Sequence, residues 1–276
     1  MSYICFVIFK HLLTCENVII LLYHFFVLLL SVIDGYTIFL RFTRAFKRKE
    51  WIMGQVIIQE ETTKYPLQLI GKEAGICWNS DTSDIEKNIR RGLDCIESNH
   101  GRTWEFPQIY MELDGYSARV IREFYTHIGG ASTRIQASTR YIDYESGFDY
   151  VTPYSISINP ECKQVYNQAM TDIAKALQTL ETLKVPREDC AMLLPLGMTT
   201  KIICRMNLRT LADMSHQRLC SRAYWEFINL MNDIMDALCE YSDEWKLLIP
   251  KVCVPKCELY GYCTEKRGCG RKPKKD

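Results

Sequence analysis

Two stretches of the sequence concentrate side chains able to bind a small anionic ligand. The first, Thr126-His127-Ile128-Gly129-Gly130-Ala131-Ser132-Thr133-Arg134-Ile135-Gln136-Ala137-Ser138-Thr139-Arg140-Tyr141, gathers hydroxyls, an amide and two guanidinium groups after a helix end and two glycines. Arginine forks bind phosphate bidentately and turn N–H groups add donors, so this combination suits a phosphate. By composition alone it is equally an ordinary polar loop. The second stretch runs from Asn207 to Glu226. On a helix, Asn207, Leu211, Met214 and Arg218 fall on neighbouring turns of one side, so a polar group at each end brackets apolar contacts. The competing reading is a solvated helix face on which Arg222 pairs with Glu226 at four residues' spacing. His216 taken alone reads as a surface or core histidine.

A third set of reactive groups closes the chain as Cys253-x3-Cys257-x5-Cys263-x5-Cys269, with Gly261, Gly268 and Gly270 supplying turns. Four thiolates satisfy tetrahedral zinc, yet the Cys-x2-Cys pairs of common zinc ribbons are absent, so free thiols fit these spacings better than a structural metal. Lys266, Arg267, Arg271, Lys272, Lys274 and Lys275 read as a solvated basic end. Cys77, Cys95, Cys162, Cys190, Cys204, Cys220 and Cys239 fall in predicted helices or strands, where free thiols behave as small core hydrophobes. A reducing, cytoplasmic compartment follows. None has a neighbouring catalytic histidine or other sign of activation.

The elements that must position these groups are mostly helical. Gly54-Gln55-Val56-Ile57-Ile58 opens like a first strand. Ser83 with Glu86 forms a capping box before a helix from about Asp84 to Ser98, carried by Ile85, Ile89, Leu93 and Ile96. Pro107 to Leu113 alternates like a strand, and Ser117 to His127 reads as a helix broken by Gly129-Gly130. After Pro160 comes a long amphipathic helix with Val165, Ala169, Ile173, Ala176, Leu177 and Leu180 on one face. Val185-Pro186-Arg187-Glu188 starts a short helix that Pro195 closes. Asn207 to Cys239 reads as helical, and Leu247 to Val254 as a mostly apolar ending. Helices without regular strand alternation predict an α+β fold, a single domain with a central, mainly antiparallel sheet flanked by long helices. There is no Gly-x-Gly-x-x-Gly after a strand and no Walker loop, so any nucleotide is held another way.

Composition sets the outer limits. The 276 residues carry 34 basic and 33 acidic side chains, a formal net charge of +1, which argues against a dedicated nucleic-acid binder. Val18 to Ile33 is apolar except for Tyr23, His24 and Ser31, and Arg41, Arg44, Lys47, Arg48 and Lys49 follow. The run is marginal for a membrane span, which needs about 20 such residues. Residues 1–52 are therefore expected to lie outside the working protein, with translation starting at Met53. A membrane-anchored interaction protein is the alternative they suggest. The expected organisation is 1–52 as an apolar extension, 53–250 as the working domain and 251–276 as a Cys-rich basic tail.

Together the two polar stretches resemble the flavin-dependent thymidylate synthases, whose signature runs Arg-His-Arg, then Ser, Asn, Ser and Arg-Tyr. Ser138-Thr139-Arg140-Tyr141 is similar to the end of that signature, and Ser117 lies ten residues before His127 as the family's preceding serine does. Thr126 and Ile128 stand where the family usually has arginines, Gly129-Gly130 looks like an insertion, and Ala191 occupies a position where the family has a phosphate-binding arginine. His100-Gly101-Arg102-Thr103-Trp104-Glu105-Phe106 is similar to the family's His-rich segment. Val185 to Leu196 and Asn207-Leu208-Arg209 with Asp213, Arg218 and Trp225-Glu226 follow in the family's order, so the resemblance covers roughly residues 66 to 245.

The resemblance implies methylation of dUMP to dTMP, with methylenetetrahydrofolate as carbon donor and FAD carrying electrons from NADPH. It implies no cysteine nucleophile and a homotetramer with sites shared between subunits. Arg218 would be catalytic, contacting the uracil edge and favouring the ionised ring. Glu123, Arg134, Gln136, Ser138, Thr139 and Arg140 would hold dUMP, with Arg140 and Arg134 on its phosphate and Arg134 replacing a lost motif charge. His127, Asn207, Arg209 and Asp213 would face FAD. The changed positions Thr126, Ile128 and Ala191 also suggest a non-catalytic nucleotide-binding relative of the same fold.

Overall fold

The computed structural model describes residues 54–127 and 133–275. The expectations for residues 1–52 and for Gly129-Gly130 fall outside that range. Four antiparallel strands form one sheet in the order β1-β2-β4-β3: β1 Gln55–Ile58, β2 Gln108–Ser117, β3 Thr133–Gln136 and β4 Thr199–Asn207. Their β-branched and alternating sequences suit a half-buried sheet. Register places Met111 opposite Cys204 and Leu113 opposite Ile202, and these side chains turn to the core. The register shifts between Leu113 and Tyr116, where Gly115 adopts φ +76, a left-handed conformation open to glycine at a bulge.

Helices make up most of the remaining regular structure. They are α1 Pro66–Ile76, α2 Ile85–Glu97, α3 Ala118–Phe124, α4 Tyr154–Ser157, α5 Pro160–Thr182, α6 Arg187–Cys190, α7 Leu208–Arg218, α8 Trp225–Tyr241, α9 Asp243–Val252 and α10 Lys256–Tyr260. Leu211 and Met214 of α7, Phe227, Leu230 and Ile234 of α8, and Trp245 of α9 are buried against Ile109, Met111, Ile202 and Met206 of the sheet. α1 and α2 approach so closely that a Cβ on Gly92 would clash with the Leu67 carbonyl oxygen. The α+β architecture with an antiparallel sheet is the one the sequence predicts.

Several details differ. The cap of α2 is Asp84, whose carboxylate accepts from the Lys87 N–H at 3.0 Å, while Ser83 instead donates its N–H to Asp81 at 2.9 Å. The helix expected from Asn207 to Cys239 is two helices, because residues 219–224 turn the chain so that Glu226 is buried against Ser117. The face of α5 is as expected at Leu177, which is buried, but differs toward the start, where Val165 is 71% exposed and Met170 is buried instead. Of the cysteines expected in the core, Cys95, Cys190 and Cys204 are buried. Cys77 and Cys162 are exposed, Cys220 and Cys239 are half-buried, and Cys253 of the tail is buried. Among the described residues no helix is long and apolar enough to cross a membrane.

Candidate active site

Two strands deliver two helices to one place. β2 ends at Ser117, whose side chain accepts from the Val120 N–H at 3.1 Å and so caps α3. β4 ends at Asn207, whose side chain accepts from the Thr210 N–H at 2.9 Å and caps α7. Because β2 and β4 are antiparallel, α3 and α7 leave opposite ends of the sheet, and their C-terminal ends meet. There Arg218 donates from Nε to His127 Nε2 at 2.7 Å and reaches Glu123 Oε2 at 3.4 Å. Phe227 of α8 lies beneath both, 4.7 Å from the guanidinium and edge-on to the imidazole at 5.7 Å. A guanidinium does not give up its proton at ordinary pH, so Nε2 must accept and the neutral ring carries its proton on Nδ1. Burial, and then the charge of Arg218, lower the His127 pKa and keep it neutral.

Beneath this trio is a buried brace. Glu226 accepts from the Ser117 N–H at 2.7 Å, from the Ser117 hydroxyl at 2.5 Å and from the Tyr224 hydroxyl at 3.2 Å. Burial, and then the adjacent Glu226, push the Tyr224 phenol up to about 12. Arg119 lies 4.5 Å over the Tyr224 ring. The Arg222–Glu226 pair that helical spacing suggested does not form, since Arg222 pairs with Glu265 at 2.7 Å. His216 is structural, with Nε2 3.2 Å from the Val252 carbonyl oxygen. Trp225-Glu226 belongs to the family-like order read from the sequence, but the bracing role of Glu226 and the parts played by Tyr224 and Phe227 were not singled out; the run Tyr224-Trp225-Glu226-Phe227, six residues after Arg218, was the available signal.

The remaining expected site residues fall into separate groups. Asp213, exposed on α7, shares an open, polar cavity of about 870 Å³ with Arg218. Arg209, at the opposite end of α7, pairs with Glu105 at 2.8 Å. Arg134 and Gln136 share a face of β3. Arg134 stacks 4.0 Å over the ring of Tyr125, two residues before His127, and Gln136 donates to the Thr200 hydroxyl at 3.3 Å. Ser138, Thr139 and Arg140 lie beyond β3, where Arg140 pairs with Glu188 of α6 at 2.9 Å. Arg187 of α6 binds the same segment through the Tyr141 carbonyl and Asp143. The structure thus unites Arg218, His127 and Glu123, while Arg140 pairs with Glu188 and not with this trio. The four tail cysteines do not converge on one point. Cys253 is buried beside Ser215, its thiol pushed up to about 12 by burial, and among the described residues the only three ligand groups within 4.8 Å of one another are Asp143, Glu145 and Glu181.

Residues 60–241 match the family described as thymidylate synthase complementing protein. The chain belongs to this family. Flavin-dependent thymidylate synthase from Nitratidesulfovibrio vulgaris is 31% identical over 191 residues, covering 64% of this chain and 74% of that protein. The enzyme of the same name from Pyrococcus furiosus is 28% identical over 230 residues, covering 77% of this chain and 92% of that one. Among solved structures, ThyX from Helicobacter pylori complexed with FAD and dUMP shares the fold, with a TM-score of 0.55 at 18% identity, over 72% of this chain and 99% of that one. The family match spans α3, α7 and all of α8, so the trio and its brace lie inside the shared segment. The tail from Val252 onward lies outside it.

Proposed function

We propose that this protein is a flavin-dependent thymidylate synthase, methylating dUMP to dTMP with FAD as cofactor, methylenetetrahydrofolate as carbon donor and NADPH as reductant. The observation that carries the reading is the Arg218–His127–Glu123 trio, built within the family segment, whose Arg218 also lines a cavity of small-molecule size. The cavity fits a flavin and nucleotide in its polarity, with Arg218 and Asp213 on its wall. Bound flavin supplies the hydride chemistry. The chain's own residues bind and polarise. Arg218 sets a fixed positive charge at the uracil edge, where its position against Phe227 limits solvation and strengthens that charge's effect on an ionising ring. Neutral His127 leaves Arg218 charged and oriented by accepting its Nε–H. Glu123, Gln136, Ser138, Thr139, Arg134 and Arg140 hold the nucleotide, and Asn207, Arg209, His127 and Asp213 hold the flavin.

The chain is further proposed to act as a homotetramer in the cytoplasm, with residues 53–250 as the flavin-dependent thymidylate synthase-like domain. The pairing of Arg140 with Glu188 rather than with the trio supports a site completed by a second copy. So do the exposed apolar side chains: Ile135 and Ile203 on the open face of the sheet, and Val165, Leu183 and Met192 around α5. Complementation of a thymidine-requiring bacterium tests the function. Growth without thymidine is expected from the full chain, and a well-expressed, nucleotide-binding protein that never supports growth would point to a non-catalytic relative.

A further inference from the structure

The cavity that holds Arg218 and Asp213 has a second wall, made by a segment outside the family match. Pro255, Lys256, Tyr260, Arg267 and Arg271 line it from the C-terminal side. The segment is folded rather than trailing. Arg271 donates to the Leu219 carbonyl at 3.2 Å, Glu265 pairs with Arg222 at 2.7 Å, Lys272 with Glu258 at 2.9 Å, and the Cys263 N–H reaches the Pro273 carbonyl at 2.6 Å. Tyr260 and Tyr262 stack at 5.7 Å.

Charge on this cavity is unbalanced. Its lining carries Arg218, Arg222, Lys256, Arg267 and Arg271 against the carboxylates of Asp213 and Glu265. Glu123 answers Arg218 and Glu265 answers Arg222. Arg271 is spent on a backbone carbonyl. Lys256 has only the face of the Tyr260 ring, 5.6 Å away, and Arg267 has no hydrogen bond or ion pair among the described residues. Two cations on one wall of a polar cavity, with no carboxylate of their own, suit an anion carrying more than one charge.

We propose that residues 255–271 form a working wall of the ligand cavity, on which Lys256 and Arg267 hold the multiply charged anionic arm of a molecule bound against Arg218. This rests on the function proposed above, which offers two sources of that chemistry: the diphosphate of FAD and the glutamate carboxylates of the folate donor.

The test measures equilibrium binding to the full chain, FAD by quenching of flavin fluorescence and tetrahydrofolate triglutamate by quenching of tryptophan fluorescence. Wild type is compared with Lys256→Ala/Arg267→Ala, with Arg267→Glu, and with Lys266→Ala as a control on a neighbouring cation outside the cavity. The expected result is a rise in Kd of about tenfold or more for one of the two ligands, larger for Arg267→Glu than for neutralisation, and none for Lys266→Ala. Weakened FAD identifies the diphosphate, and weakened triglutamate identifies the carboxylates. Both exposed side chains can be replaced without opening the core, and circular dichroism checks that they have been. Kd values within twofold of wild type for both ligands overturn the wall while leaving the enzyme reading intact. A wild-type chain that binds neither ligand overturns both.

Discussion

Removing the carboxylate of Glu226 tests the positional logic of the site at its base. Glu226 is 4% exposed and receives the Ser117 N–H, the Ser117 hydroxyl and the Tyr224 hydroxyl. Hydrogen bonds to a charged acceptor contribute about 1.5–3 kcal/mol each, and buried donors left without a partner forfeit that amount. Counting the two short Ser117 bonds as the main loss, Glu226→Ala costs about 3–5 kcal/mol. For a domain of this size each kcal/mol lowers Tm by about 2–4 °C, so the midpoint of thermal unfolding followed by circular dichroism should fall by about 6–20 °C. Glu226→Gln keeps one acceptor and should lose about half as much. Ser117 caps the helix that carries Glu123, so the dUMP KM of the surviving fold should also rise. Were Glu226 instead on a solvated face paired with Arg222, its removal would cost under about 0.5 kcal/mol. A Tm within about 2 °C of wild type for Glu226→Ala refutes the brace.

Three further outcomes follow from the same geometry. The His127 pKa is lowered on folding, so the unfolded chain binds the proton more tightly. Stability tied to this group is complete above the unfolded value near 6.5 and declines as pH falls through the window below it. The His127→Gln variant should show a flatter Tm between about pH 7.5 and 5.5, and an NMR titration of His127 with a midpoint above 6.5 would contradict the assignment. Alkylation with iodoacetamide, mapped by mass spectrometry, should modify Cys269 fastest, because hydrogen bonds from Ser221 and the Arg271 backbone lower its pKa at an exposed site. Cys204 and Cys253, both pushed up to about 12 by burial, should stay unmodified until unfolding. Arg140→Ala breaks an exposed pair with Glu188 and a distant contact with the Tyr141 ring, so stability should change by less than about 1 kcal/mol while the dUMP KM rises severalfold; an unchanged KM removes Arg140 from the nucleotide site.

Local patterns carried much of the architecture. The period of α2, the alternation in β2, Pro186 before α6 and Ser117 before α3 each announce their elements, because caps and burial periodicity are local chemistry. Features set by distant partners were not legible in the same way. The break between α7 and α8 depends on Glu226 reaching Ser117, 109 residues away in sequence. The exposure of Val165 depends on what lies beside α5 rather than on its own period. Within the site, Arg218, His127 and Glu123 were named from the sequence as residues with separate tasks; the fold shows them as one hydrogen-bonded group. The tail cysteines were read by spacing alone, and spacing does not say that Cys253 packs into the core beside Ser215 while Cys257, Cys263 and Cys269 line a cavity.

The central claim, that Arg218 polarises dUMP in a flavin-dependent methylation, is tested most directly by tritium release from dUMP labelled at C5. Purified full-length chain is supplied with FAD, NADPH and methylenetetrahydrofolate, and wild type is run beside Arg218→Ala. The account predicts tritium release matched by dTMP formation in wild type. It predicts a rate lower by about 100-fold or more in Arg218→Ala, the loss typical of a group that stabilises developing charge, with FAD still bound. No tritium release from FAD-loaded wild type, or near-normal release from Arg218→Ala, would contradict it.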